Sequence, residues 1–328
     1  MQNNFWTKLK KPFFCVAPMY DVTDAPFRQM ITKYGKPDVI FTEFVSADGL
    51  LSKGKKILKE HLIFSKKEKP IVAQLFGSNP ETIKEACKLV VKMGFDGIDI
   101  NMGCPDKSVL KQGAGAELIK NPELAREIIR FAKEGAGKIP VSVKTRIGYN
   151  KNEIEKWLPE LLAENPVAIT IHARTKKEMS KVSADWSVVA RAVEIRNKMK
   201  SETLIIGNGD VKNKKEGLAR AKETGCGGIM IGRGFFGKPW LLNENFNPTA
   251  EQKLEILLKH TKLFVKIFGT NKHFDVMKKH FKAYVNGFDG AKELRTKLMQ
   301  TKNAKEVEKI INQENNKTIK QKNKKSIL

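Results

Sequence analysis

Asn101 and Cys104 stand three residues apart in the stretch Phe95-Asp-Gly-Ile-Asp-Ile-Asn-Met-Gly-Cys-Pro105, an amide and a thiol carried on the end of one short apolar run. The run from 98 to 100 is broken only by Asp99, as in a strand covered on both faces, and Gly103 and Pro105 end it abruptly. Cys104 is therefore set in a sharp turn. A thiol with an ordinary pKa of about 8.5 is mostly protonated at neutral pH, so it can serve as a proton donor or as a nucleophile.

Other residues narrow the chemistry. Gln74 can donate and accept along a pyrimidine-like edge, and Lys144 can stabilise an anion developing on a carbonyl or ring nitrogen. The plainer reading of Lys144 is a lysine paired with a carboxylate, and that of His172 is a ring satisfying a backbone carbonyl. Asn208-Gly209-Asp210 and Gly232-Arg233-Gly234 combine bare backbone amides, which can approach a phosphate closely, with the charge of Arg233. A flat heteroaromatic ring bearing a phosphate suits this set, and flavin mononucleotide (FMN) is such a molecule.

These residues need elements that bring them together. Eight apolar runs recur, at 13–17, 39–42, 71–75, 97–100, 141–144, 168–171, 204–207 and 228–231, separated by amphipathic segments. That alternation predicts repeated strand–helix units with a parallel sheet, and eight units close a (β/α)8 TIM barrel. Helix starts are signalled at Asn79-Pro80-Glu81, Asn121-Pro122-Glu123 and Asp185-Trp186-Ser187. In such a barrel the chemistry gathers on the loops at the C-terminal ends of the strands. What stands there, run by run, is Pro18-Met19-Tyr20, Glu43, Gln74, Asn101 with Cys104, Lys144 with Arg146, His172 with Arg174, Asn208-Gly209-Asp210 and Gly232-Arg233-Gly234. The last two are the loops from which barrels of this kind build a phosphate site.

From about residue 248 the alternation gives way to helical spacing, with Leu254, Leu257, Leu258, Phe264, Met277, Phe281 and Tyr284 on apolar stripes. The fold class is therefore α/β: a barrel over 1–245, a smaller all-helical domain over 246–313, and a basic, disordered tail over 314–328. The 328 residues carry a formal charge of +25 with pI near 9.8, which points to a polyanionic partner. An AT-rich genome that favours lysine codons is the bland alternative. Charge is densest from 249 on, where 19 Lys or Arg stand against 8 Asp or Glu. Cys15, Cys87, Cys104 and Cys226 form no close pairs, so neither a disulfide framework nor a metal site is expected. No apolar run reaches the roughly 18 residues of a membrane span, and the chain reads as cytoplasmic. A Rossmann fingerprint is absent, so a nicotinamide nucleotide would visit the same mouth transiently.

The chain resembles the tRNA-dihydrouridine synthase family. The matching blocks are APMYDVTDAPFR (17–28), TEFVSADGL (42–50), VAQLFG (72–77), DGIDINMGCP (96–105), VSVKTRIG (141–148), ITIHARTKKEMSKVSADW (169–186), IIGNGDV (205–211) and GGIMIGRGFFGKPW (227–240). The segment KHFKAYVNGFDGAKELRTKL (279–298) resembles that family's helical RNA-binding domain. The resemblance implies an enzyme that uses FMN, reduced by NADPH or NADH, to saturate the C5=C6 bond of selected uridines in tRNA. It implies flavin contacts from Pro18, Met19, Tyr20, Gln74, Lys144 and His172, and phosphate contacts from Asn208, Gly209, Asp210, Gly232 and Arg233. Asn101 would orient the uracil, Cys104 would be the general acid, and Arg146 and Arg174 would reach substrate. On the helical domain Lys278, Lys279, Lys282 and Arg295 are candidate tRNA contacts, and the enzyme is expected to act as a monomer. Two positions depart from the family pattern: Ala173 where many relatives have glycine, and the loop before Ala184-Asp185-Trp186, which lacks Tyr-x-Gly. A flavin oxidoreductase acting on a free pyrimidine such as dihydroorotate, or an RNA-binding protein without catalysis, are the alternatives. The basic helical domain argues against the first, and intact Cys104, Lys144 and phosphate loops against the second.

Overall fold

The computed structural model describes residues 4–325. Eight strands, β1 (Phe13–Val16), β2 (Val39–Ser46), β3 (Ile71–Phe76), β4 (Gly97–Met102), β5 (Val141–Arg146), β6 (Ala168–His172), β7 (Leu204–Asn208) and β8 (Gly228–Ile231), pair in sequence order and close through β1 and β8. All eight pairings are parallel. Each expected run is a strand. The strands mostly run longer at their C-terminal ends, so that Asn101, Arg146, His172 and Asn208 lie on strands and not after them. β2 extends furthest, and a register irregularity between Phe41 and Phe44 re-aims Glu43.

Period-two alternation sorts the strand residues into two cores. Phe13, Cys15, Val39, Phe41, Val72, Ala168, Leu204, Ile206 and Met230 form the cluster inside the barrel, and Phe14, Val16, Ile40, Ala73, Ile98, Ile100, Val143, Ile169 and Ile229 belong to the layer under the helices. Trp6, on a short N-terminal helical turn (Phe5–Lys8), joins the inner cluster and meets Phe13 edge-on with ring centroids 5.6 Å apart. The three helix starts cap as predicted. Asn79 accepts from Glu81 and Thr82, Asn121 from Leu124 and Asp185 from Ser187, opening helices Pro80–Lys92, Pro122–Ala136 and Trp186–Lys198.

Four helices follow the barrel: Ala250–Phe268, Val276–Tyr284, Ala291–Met299 and Ala304–Lys325. Their apolar stripes are continuous with the barrel's outer layer, where Phe27 of the first barrel helix stacks on His260 at 5.4 Å and meets His280 at 5.0 Å. The last helix carries through position 314, where a disordered tail was expected; its lysines and glutamines favour helix, and neither Gly nor Pro interrupts it. The end of that expected tail, 326–328, lies outside the described residues. Among the described residues no helix is long and apolar enough to cross a membrane.

Candidate active site

At the C-terminal mouth of the barrel lies a cavity of about 1000 Å³. Strand geometry explains its lining, because inward positions toward the C-terminal ends of β3 to β8 include Gln74, Asn101, Lys144 with Arg146, His172, Asn208 and Met230. Pro18, Met19, Cys104, Arg174, Gly209, Asp210, Gly232 and Arg233 join them from the loops. Fourteen of the expected site residues thus face one space.

A buried hydrogen-bonded chain fixes the thiol. Ser142 donates to Asp99 at 2.6 Å, Gln74 donates to the other Asp99 oxygen at 2.7 Å, and Asn101 donates to the Gln74 carbonyl oxygen at 3.0 Å. The Asn101 oxygen in turn accepts from the backbone N–H of Gly103 at 3.1 Å and of Cys104 at 2.9 Å. Asn101 is therefore first a clamp on the Cys104 turn, with one amide N–H left for a ligand. Burial lifts the Asp99 carboxyl to about 6, against the two donors that favour its charge. Burial also raises the Cys104 thiol, opposed by the Asp106 backbone N–H, so the group is held as a neutral proton carrier. Gly115, at φ 63°, packs so close that a Cβ there would lie 2.8 Å from the Cys104 carbonyl oxygen.

Among the described residues Lys144 forms no salt bridge; it donates to the Asn208 oxygen at 3.1 Å, while Asn208 donates to the Met230 carbonyl at 2.8 Å. Burial, then the neighbouring Arg146, lowers its pKa to about 8. His172 satisfies no backbone carbonyl; its Nε2 accepts from Arg174 at 3.1 Å, which leaves the proton on Nδ1. Burial and the surrounding cations hold that ring neutral, its pKa far below the usual histidine value.

Arg146 and Arg174 line the cavity but are largely spent on the loops. Arg146 donates to the carbonyls of Gly103, Thr175 and Met179, and Arg174 donates to the Val182 carbonyl and pairs with Asp210. Asp210 also holds Arg233 at 2.7 Å, and against burial the Ala184 backbone N–H, then those two arginines, keep its carboxyl below the usual range. Its carboxylate is thus engaged with two cations at the cavity wall. Gly209, at φ 138°, could carry no Cβ without meeting that of Ala184 at 2.6 Å. Beside it, the short helical turn Arg233–Phe235 after β8 completes the phosphate-type arrangement. The lining thus fits a phosphorylated flavin: Gly209, Gly232 and Arg233 offer bare amides and a cation, and Lys144 and the remaining valences of Gln74 offer polar partners for a ring.

Five expected residues lie elsewhere. Tyr20 points out of the mouth, over His61, and Lys278, Lys279 and Lys282 stand on the helix Val276–Tyr284, opposite its buried Met277, His280 and Phe281. Arg295 donates to the Val285 carbonyl at 2.7 Å inside the helical unit. Sequence reasoning missed Asp99, Phe44, Met179 and Lys238. The polar Asp99 inside an apolar run was the one available signal, since Phe44 comes to the mouth past a register irregularity in β2, and Met179 and Lys238 by loop paths that leave no periodic trace.

Among solved structures the chain is similar to histamine dehydrogenase from Rhizobium sp. 4-9, with TM-score 0.53 and 14% identity over 76% of this chain and 48% of that one. It is likewise similar to a variant of morphinone reductase in complex with tetrahydroNAD, with TM-score 0.51 and 13% identity over 73% and 88% of the two chains. At these identities the likeness shows the fold. Two curated relatives are similar over 95% of this chain and 96% of their own: "Probable tRNA-dihydrouridine synthase" of Staphylococcus aureus (strain COL), 40% identical, and "Probable tRNA-dihydrouridine synthase 2" of Bacillus subtilis (strain 168), 39% identical. The family model described as "Dihydrouridine synthase (Dus)" matches residues 15–324. With the neutral thiol, the lysine and the phosphate-type loops gathered at one barrel mouth, this chain belongs to the dihydrouridine synthase family.

Proposed function

We propose that the protein reduces the C5=C6 bond of specific uridines in tRNA to 5,6-dihydrouridine, with FMN as cofactor and NADPH or NADH as the source of electrons. The observation that carries this reading is the Asn101–Cys104 turn, a clamped and half-buried thiol opening onto the cavity that Lys144 and His172 line. A bound flavin would supply the hydride for C6 of the uracil. Gln74, Lys144 and His172 would hold its ring, with Pro18 and Met19 against it, and Asn208, Gly209, Gly232 and Arg233 would hold its phosphate. Cys104 would deliver the proton to C5, which a thiol kept neutral by its surroundings suits. Asn101 would keep Cys104 at the ring's edge and offer its remaining N–H to the uracil.

Residues 246–313 would dock the RNA. Their lysines, Lys278, Lys279 and Lys282 among them, would neutralise phosphates of a folded RNA read by shape and backbone, with steep salt dependence. The test is mass mapping of unmodified tRNA transcripts after incubation with the purified protein and NADPH. A gain of two hydrogens at a defined uridine is expected. NADPH oxidation with no gain in any transcript would move the substrate to a free pyrimidine.

A further inference from the structure

Tyr20 is 53% exposed, although its neighbour Met19 lines the mouth. Its ring stacks on His61 with centroids 5.3 Å apart and planes 26° apart, and meets Phe44, itself part of the mouth, at 5.7 Å. Beside this pair lies a second hollow of about 210 Å³, bounded also by Ile57, Phe268, Lys272 and His273. That is smaller than the roughly 300–1000 Å³ of a site for a whole drug-sized ligand, and suits a single ring.

The hollow is built on a buried frame. Glu43, fully buried, accepts from His61 Nδ1 at 3.0 Å through one oxygen and from the Asp21 backbone N–H at 2.6 Å through the other, which fixes both the ring and the loop that bears Tyr20. Lys272, reaching over from the helical unit, sits 3.1 Å from Asp21, with Lys279 at 3.8 Å from the same carboxylate. Those contacts neutralise the acid that would otherwise repel an RNA backbone at this point. An exposed aromatic face, held from below and flanked by Lys272 and Lys279 as well as by the carboxylates of Asp21 and Glu60, joins the mouth on one side to the basic helices on the other.

We propose that the Tyr20–His61 wall is a stacking subsite for a nucleobase of the substrate RNA next to the uridine that enters the mouth. The inference rests on the function proposed above and adds a residue to its substrate recognition. Bases splayed from a folded RNA are bound by stacking on aromatic side chains, and because every base has a π-face such a subsite grips without demanding a sequence.

The experiment compares wild type, Tyr20→Ala and Tyr20→Phe in kcat/KM for an unmodified tRNA transcript, and in the rate of flavin reduction by NADPH without oxygen. Tyr20→Ala should lower kcat/KM by about 5- to 150-fold, the range carried by one base–aromatic stack, with flavin reduction unchanged. Tyr20→Phe keeps the ring and should stay within about twofold of wild type. Equal kcat/KM for Tyr20→Ala and wild type overturns the subsite alone. An equal fall in flavin reduction also overturns it, by placing Tyr20 against the flavin. A wild type that reduces no uridine in any transcript overturns the broader function and the subsite together.

Discussion

A thiol that gives up its proton on demand must hold it until then, and Cys104 is surrounded accordingly: burial raises its pKa and Asn101 pins its backbone. Cys104→Ala removes the donor and leaves that clamp, because Asn101 binds backbone N–H groups. Uridine reduction should slow by about 10²- to 10⁴-fold while flavin content and its reduction by NADPH hold, as read by single-turnover kinetics and absorbance. Unchanged tRNA turnover would remove Cys104 from the mechanism. Lys144 gives a second expectation. Its pKa of about 8 makes it a cation below that pH and a neutral amine above it. If its charge stabilises the developing anion, kcat on tRNA falls as pH rises through about 8, and Lys144→Met is slow throughout and loses that limb. A wild-type limb retained in Lys144→Met would assign it to another group.

At the level of elements, the barrel's ends are finished in different ways. The C-terminal mouth is polar and open, whereas the bottom is closed by Trp6, whose indole is 1% exposed against Phe5, Phe13 and Phe41. Trp6→Ala leaves a cavity beneath the inner core and should cost about 3–5 kcal/mol, seen as a lower urea midpoint at unchanged m-value. A loss under about 1 kcal/mol would mean that the N-terminal turn is not part of the core. The strand ends show how position decides role. Inward-facing Asp99 and Ser142 lie one step below Asn101 and Lys144, so the polar layer supporting the mouth is a consequence of the pleat.

Over the whole molecule, the helical unit and the barrel share one apolar layer, and polar groups are trapped in it. Among the described residues neither ring nitrogen of His260 or His280 has a hydrogen-bond partner, and the two rings meet at 4.6 Å between Phe27 and Phe236. Burial lowers His260 to about 3. Its contribution to stability is therefore intact above the unfolded histidine pKa near 6.5, and is lost as pH falls from there toward about 3, at up to about 1.4 kcal/mol per pH unit. Asp24 nearby works in the opposite sense. Burial and Glu43 raise it to about 7, so between there and about 4 the folded state takes up a proton that the unfolded state does not, and acid adds stability. A comparison with His260→Phe isolates the histidine: the variant should gain roughly 2 kcal/mol on wild type between pH 7 and pH 5. Parallel pH profiles in denaturant titrations would show that His260 is not held neutral.

The sequence by itself determined the eight strands, the helix caps and the residues at the strand ends, because each rests on a local rule: a period of two, a side chain bonding a nearby N–H, a glycine or proline that stops a run. It also carried the family blocks from which most of the site was read. Tertiary structure decided which of those residues share a space and what their valences are spent on. Tyr20 and Met19 are neighbours in sequence yet face different hollows, since the loop that bears them is tied down by Glu43 from another strand. Asp210 reads as a phosphate contact, and its carboxylate binds two arginines; Arg146 reads as a substrate contact, and its guanidinium ties down loops. Hydrogen bonds between residues 23 to 43 positions apart leave no local pattern. Only closure of the barrel brings their partners within reach.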